Sequence, residues 1–170
     1  NVPYPPVDSI LEVFEQQAAA HPDRVAIRFD RGVWTYRRLQ VASDKVAYFL
    51  SQTKGWKKGD FIGLMLEREP AFLAILFGIL KAGGAYVPID PKYPADRVQA
   101  IIEEAGMKVL FTRGQFPKTI DAGSTEIIDL DTDWRLIRNM QYKRQAIKID
   151  PKDLAYIIFT SGSTGRPKGV

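Results

Sequence analysis

The run Thr160-Ser161-Gly162-Ser163-Thr164-Gly165-Arg166-Pro167-Lys168-Gly169 carries the densest chemical signal in the sequence. The hydroxyls of Thr160, Ser161, Ser163 and Thr164 can donate to phosphate oxygens. Gly162 and Gly165 let backbone amides approach without an intervening Cβ, and Lys168 supplies a mobile positive charge. Ser/Gly-rich runs of this kind also make ordinary surface turns, so composition alone does not separate the two. Placement favours the anion cradle: Leu154 to Phe159, six largely apolar residues, read as a buried strand that delivers the run at its carboxyl end. Pro167 fixes its own φ and restricts Arg166, which helps to aim the lysine. This is not a Walker A loop, because Lys168 lies between Pro167 and Gly169 and has no neighbouring Ser or Thr to hold magnesium.

A loop of this type needs a rigid frame, and the preceding residues supply one. Ser9 and Glu12 form a capping-box pattern for a helix of about three turns with Ile10, Phe14 and Gln17-Ala18 at helical spacing, ended by His21-Pro22-Asp23. His21 reads as a capping or surface residue. Val25–Phe29 and Val33–Tyr36 read as a β-hairpin around Asp30-Arg31-Gly32, with Gly32 free to take positive φ. Leu39, Ala42, Val46, Phe49 and Leu50 predict a helix from Arg37 to about Thr53, with Gly55 at the place of a left-handed cap. Phe61–Leu66 is continuously apolar, as a strand covered on both faces would be. Pro70 opens a helix through Leu80, Gly83-Gly84 stop it, and Ala85–Ile89 returns as a short strand. A helix over Ala95–Ala105 ends at Gly106, followed by strands at Lys108–Thr112 and Glu126–Leu130 and a short helix between Asp133 and Met140. This alternation predicts an α/β fold with a mainly parallel sheet and helices on both faces, plus the N-terminal hairpin. Residues 1–8 read as an extended proline-rich arm and 9–170 as one structural unit.

Composition narrows the function classes. With 45% hydrophobic and 26% charged residues among 170, the chain is globular in character. It has no cysteine, which excludes disulfides and thiolate metal sites and fits an intracellular, cytoplasmic setting. The net charge is +4, but the basic residues are dispersed among acids, so nucleic acid is not an expected partner. The apolar run Ala71–Leu80 is about half of what a bilayer span needs, and no membrane association is expected. Asp129, Asp131 and Asp133 alternate as at the start of a calcium loop. Trp134 and Met140 stand where its glycine and bidentate glutamate belong, so a solvated strand end is the better reading. Glu67, Glu69, Glu103 and Glu104 read as surface charge, and Trp34, Trp56 and Trp134 as packing residues.

Three stretches together resemble one family. Thr160 to Gly169 matches the phosphate-loop signature of the adenylate-forming enzymes, the superfamily of acyl-CoA synthetases, luciferases and nonribosomal peptide synthetase adenylation domains. Leu80-Lys81-Ala82-Gly83-Gly84-Ala85-Tyr86-Val87-Pro88-Ile89-Asp90-Pro91, with Tyr93-Pro94 and Arg97, resembles a segment typical of the peptide synthetase branch. Trp34-Thr35-Tyr36-Arg37-Arg38-Leu39 resembles a third, N-terminal motif. The resemblance implies that the chain is the first part of the large N-terminal domain of such an enzyme. It implies ATP and a small carboxylic acid, an amino acid, as substrates, an aminoacyl adenylate and pyrophosphate as products, and transfer to phosphopantetheine on a carrier protein. By the same resemblance Thr160, Ser161, Gly162, Ser163, Thr164, Gly165 and Lys168 would embrace the β- and γ-phosphates of ATP, while the ligands of the accompanying Mg2+ are not identifiable here. The family's substrate pocket, ribose-binding acid, hinge and catalytic lysine would lie after Val170, beside the remainder of the adenylation domain. The 170 residues alone are therefore expected to be inactive and hold no catalytic residue. Acyl- or aryl-CoA ligases, ligases that load D-alanine onto a carrier protein, and a non-catalytic split-domain subunit are the alternatives.

Overall fold

The computed structural model describes residues 9–53, 55–114, 116–144, 147, 149–161 and 167–170. The arm expected at residues 1–8 lies outside them. At the centre is a parallel sheet of four strands in the order β4-β3-β5-β6, with β3 Phe61–Met65, β4 Ala85–Pro88, β5 Val109–Thr112 and β6 Glu126–Asp129. The helix α3 (Pro70–Lys81) links β3 to β4, and α4 (Ala95–Ala105) links β4 to β5. From β3 to β4 the chain moves outward; from β4 to β5 it returns past β3. Crossovers of one hand that run in opposite directions place their helices on opposite faces, as expected for right-handed connections.

Side-chain alternation along the strands builds a core on each face. Ile62 and Leu64 of β3, with Val109 and Phe111 of β5, pack against α3 and the long helix α2 (Tyr36–Gln52) through Val46, Leu50, Ile75 and Ile79. Met65 and Leu110 face the other way, where Val98, Ile101 and Ile102 of α4 cover them. The second layer leaves no room to enlarge Gly63 of β3: an added Cβ would lie 2.5 Å from Leu110 Cδ1 and 2.7 Å from Met107 Sδ.

An outer layer rests on α2 and α3. The helix α1 (Ile10–Ala20) is capped by Ser9, whose side chain accepts from the Glu12 N–H, and it buries Leu11, Phe14 and Ala18. Ile10, expected at helical spacing with Phe14 and Ala18, is 65% exposed; Leu11 takes its place in the buried set with Phe14 and Ala18, and Leu11 and Phe14 meet Trp34, Leu39 and Ala74. Strands β1 (Val25–Phe29) and β2 (Gly32–Thr35) form the expected hairpin. Gly32, at φ 147°, opens β2 rather than sitting in the turn. Thr35 then caps α2 by accepting from the Arg38 N–H, so Tyr36 belongs to the helix and not to the strand. α2 ends at Gln52 with Thr53 as its cap, and Gly55, at φ 72°, lies in the following turn, closed by Trp56 N–H to the Thr53 carbonyl. Gly106, by contrast, is the left-handed cap of α4 that its position predicts. The short helix α5 (Trp134–Asn139) completes this layer.

The segment before the phosphate run departs from expectation. Leu154 to Phe159 is not a buried strand: Leu154, Tyr156 and Ile158 are 60%, 49% and 47% exposed, and only Phe159 is buried. The segment adds in parallel to the outer edge of β4 through two backbone hydrogen bonds, Tyr86 N–H to the Ala155 carbonyl and Ile157 N–H to the Tyr86 carbonyl. An edge segment has one face on the core and one outside, which gives alternation instead of continuous burial. Among the described residues no helix is long and apolar enough to cross a membrane.

Candidate functional site

The two ends of the phosphate run pair as short antiparallel strands, β7 (Phe159–Ser161) and β8 (Pro167–Gly169). Ile158 and Val170 extend the pairing by exchanging both of their backbone hydrogen bonds. Phe159 anchors the hairpin. Its ring is 7% exposed and joins Met65, Val87, Ile89 and Ile101 on the α4 side of the sheet. Gly169 sits directly opposite Phe159, and a Cβ there would come within 2.7 Å of Ile157 Cγ2 and 3.3 Å of the Phe159 ring. The glycine that closes the run is thus a packing requirement, a role that phosphate chemistry does not suggest.

The anchoring of Phe159 sets where the polar groups point. Successive side chains of a strand alternate, so a buried Phe159 turns Thr160 outward, and Lys168 is its direct cross-strand partner. Both are exposed. The Thr160 hydroxyl reaches the Lys168 carbonyl at 3.5 Å, the outer limit of a hydrogen bond. It therefore has most of its hydrogen-bonding capacity to offer elsewhere. Hydroxyl and ammonium on one face of a hairpin form two donors of the kind a phosphate accepts. Pro167 lies against α4, beside a shallow cleft lined also by Asp96, Gln99, Ala100, Glu103 and Glu104. Gly162, Ser163, Thr164 and Gly165 lie outside the described residues, as does the side chain of Ser161.

Among the described residues no cluster of His, Cys, Asp and Glu is suited to hold a metal ion. Asp129, Asp131 and Asp133 spend their oxygens on the protein itself. Asp129 accepts from the N–H groups of Gly114 and Asp131, Asp133 accepts from the Asp129 N–H, and Asp131 pairs with Arg113. Arg113 also makes a two-pronged contact with Glu69, which ties together the carboxyl ends of β3, β5 and β6.

The other two motifs have structural work. Gly83, at φ 75°, turns the chain from α3 into β4, and a Cβ on Gly84 would lie 2.7 Å from the Trp56 ring and 2.8 Å from Ile62 Cδ1. In the N-terminal motif Trp34 and Leu39 are buried, and Tyr36 lies 6.2 Å from Phe14, ring to ring. Sequence reading did not single out Lys81. Its ammonium is buried, 2.5 Å from Asp44 Oδ1 and 2.9 Å from Ser43 Oγ, with the Phe14 ring centroid at 5.4 Å. Burial lowers the Lys81 pKa below the ordinary lysine value more than the Asp44 carboxylate raises it. The pair ties α2 to α3 and borders a cleft of about 570 Å³ beside Glu12, Glu15 and Arg144. The available signal was Asp44 on the apolar stripe of α2, one position from Ser43 and facing the end of α3.

The model of the AMP-binding enzyme family matches residues 14–170. Gramicidin S synthase 2 of Brevibacillus brevis is 40% identical over 98% of this chain, which spans 4% of that protein. Tyrocidine synthase 1 of Brevibacillus parabrevis is also 40% identical, over 99% of the chain and 15% of its own length. The chain therefore spans only a small part of the curated relatives it matches. Among solved structures, the nonribosomal peptide synthetase FmoA3 in its AMPPNP-bound form superposes with a TM-score of 0.83 at 31% identity, over 99% of this chain and 17% of that one. The N-terminal subdomain of Klebsiella oxytoca NpsA, in complex with 3-hydroxybenzoyl-AMSN, gives a TM-score of 0.80 at 28% identity, over 96% and 40% of the two chains. With its parallel sheet, its two helical faces and its hydroxyl-and-lysine hairpin, the chain belongs to the AMP-binding enzyme family.

Proposed function

We propose that this chain is the opening part of an ATP-dependent ligase that activates an amino acid as its aminoacyl adenylate, releases pyrophosphate and passes the acyl group to a phosphopantetheine thiol on a carrier protein. The observation that carries the reading is the Thr160–Lys168 pair on the outward face of a hairpin fixed by Phe159 and Gly169. In the reaction a carboxylate oxygen attacks the α-phosphorus, the bond to the β-phosphate breaks, and negative charge moves onto the leaving pyrophosphate. Thr160 and Ser161 would donate to the β- and γ-phosphate oxygens, with Gly162, Ser163, Thr164 and Gly165 as the rest of the cradle. Lys168 would balance the charge as it grows. Stabilisation of this kind acts chiefly on the transition state, and loss of one such donor lowers turnover by about 10²–10³-fold. Mg2+ would add charge neutralisation at the phosphates.

Similarity to Gramicidin S synthase 2 and Tyrocidine synthase 1 supports the choice of amino acids over fatty or aryl acids. The test is ATP–pyrophosphate exchange by the intact protein against a panel of amino, fatty and aryl acids. Exchange with an amino acid, lowered about 10²-fold in Lys168→Ala, is the expected outcome, with none from the 170 residues alone. Exchange confined to fatty or aryl acids would refute the amino-acid reading.

A further inference from the structure

A second polar surface lies away from the hairpin, where α2 and α5 meet the β1–β2 hairpin. It is a groove of about 320 Å³ lined by Trp34, Thr35, Arg37, Arg38, Val41, Ala42, Lys45, Trp134 and Arg138. Its floor is apolar: Trp34 is buried at 8% exposure, Trp134 is half-buried, and Val41 is 39% exposed. Its rim is basic, and no carboxylate among the described residues lines it. Of the rim cations, Arg37 is engaged by Asp23 through both guanidinium branches. The Arg38 guanidinium lies over the Trp34 ring, 4.5 Å from its centroid. The Lys45 ammonium donates to the Arg138 carbonyl, and the exposed Arg138 side chain has no ion pair among the described residues. Arg38, Lys45 and Arg138 thus gather positive charge around an apolar pocket without a carboxylate partner among the described residues.

An apolar centre rich in tryptophan and arginine with a charged rim is the anatomy of a protein-binding hot spot. The charge complement of this rim is acidic. Nucleic acid fits less well, because the cations ring a pocket instead of forming a stripe along a backbone, and Arg38 already covers the Trp34 face on which a base would stack. We propose that the groove docks an acidic segment of a partner protein, with an apolar side chain seated on Val41 and Trp134 beside the Arg38-covered Trp34 ring and flanking carboxylates paired to Arg38, Lys45 and Arg138. This inference is independent of the phosphate-binding reading.

The probe is a fluorescein-labelled peptide of glutamates and aspartates around a single leucine, titrated with the chain and followed by anisotropy. Saturable binding that weakens with salt is expected. It should fall at least about 10-fold in Arg38→Glu/Arg138→Glu and stay unchanged in Arg135→Glu, which alters charge on α5 outside the groove. Far-UV circular dichroism and urea unfolding check that each variant folds. Absence of binding, equal binding of the peptide with glutamine for every acid, indifference to the double reversal, or tighter binding of an oligothymidylate would overturn the proposal. Should the double variant fail to fold, Lys45→Gln, which keeps a long side chain, takes its place under the same criteria.

Discussion

Replacement of Asp44 by alanine would test whether the buried Lys81 pair holds α2 and α3 in register. Each residue is 7% exposed, and their charged atoms are 2.5 Å apart. Removing one partner of such a pair leaves an uncompensated buried charge and costs about 3–5 kcal/mol. Two features place Asp44→Ala toward the lower end. Lys81 keeps the Ser43 hydroxyl and the Phe14 ring as partners, and the adjoining cleft of about 570 Å³ is roomy enough to admit water. The expected loss is therefore about 3 kcal/mol, a large share of the ~5–15 kcal/mol that holds a typical domain folded. In thermal unfolding it corresponds to a drop of roughly 6–12 °C, at about 2–4 °C per kcal/mol for this size. Urea unfolding followed by tryptophan fluorescence reads it as a lower midpoint at unchanged slope. Asp44→Ala/Lys81→Met removes the stranded charge and should recover to within about 1 kcal/mol of the parent, since apolar replacement of a whole buried pair is often neutral. A loss below about 1 kcal/mol in Asp44→Ala, or a double variant weaker than the single, would refute the reasoning. The pair also has a pH signature. Because burial lowers the native pKa of Lys81, the unfolded chain binds the extra proton between that lowered value and the ordinary lysine value. Native stability from this group therefore rises with pH across that window. The stability difference between parent and Lys81→Met should shift in the parent's favour as the solution is made alkaline.

Gly169→Ala should unseat the hairpin by forcing the new methyl group against Ile157 and Phe159. The expected destabilisation is about 1–3 kcal/mol by urea melt, with pyrophosphate exchange by the intact protein reduced alongside it; unchanged stability and exchange would show that the hairpin yields freely. Gly63→Ala should cost a similar ~1–3 kcal/mol, because its Cβ must displace Leu110 and Met107 between two packed strands. Arg113→Met, despite removing contacts to Glu69 and Asp131, should cost less than about 1 kcal/mol, since these side chains are solvent-accessible and screened. A larger loss would mean that the network braces the strand ends.

Much of this architecture is legible in the sequence because local signals and tertiary demands agree. The continuous apolar run of β3, the proline that opens α3 and the glycine that caps α4 each state their role where they stand. Legibility fails where a residue's role is set by a distant partner. Ile10 and Leu11 are equally apolar, and only the position of Trp34 and Leu39 decides which turns inward. Lys81 reads as the polar end of a helix until Asp44 is found beside it. Leu154 to Phe159 has the composition of a covered strand, yet its place on the edge of β4 leaves alternate side chains exposed. Thr160 and Lys168 are proposed as phosphate donors from their chemistry alone. Their sharing of one face follows only from the hairpin register, and the steric role of Gly169 only from the proximity of Ile157.

The edge attachment of the hairpin has a mechanical meaning. Both backbone hydrogen bonds that join residues 155–157 to β4 are made by Tyr86, and Phe159 rests in the core two residues beyond Ile157. The end that bears Thr160 and Lys168 is thus carried on an arm joined to β4 at Tyr86 and seated by Phe159 and by Pro167 against α4. From Ile157 to Ser161 the strand advances about 13 Å at ~3.3 Å per residue, so a rotation of about 10° at Tyr86 would swing the far end by roughly 2 Å. Such gearing would convert a slight adjustment at Tyr86 into a displacement comparable to the difference between a formed and a broken hydrogen bond. Under the proposed function, the aim of Thr160 and Lys168 would then depend in part on a tyrosine that touches no phosphate.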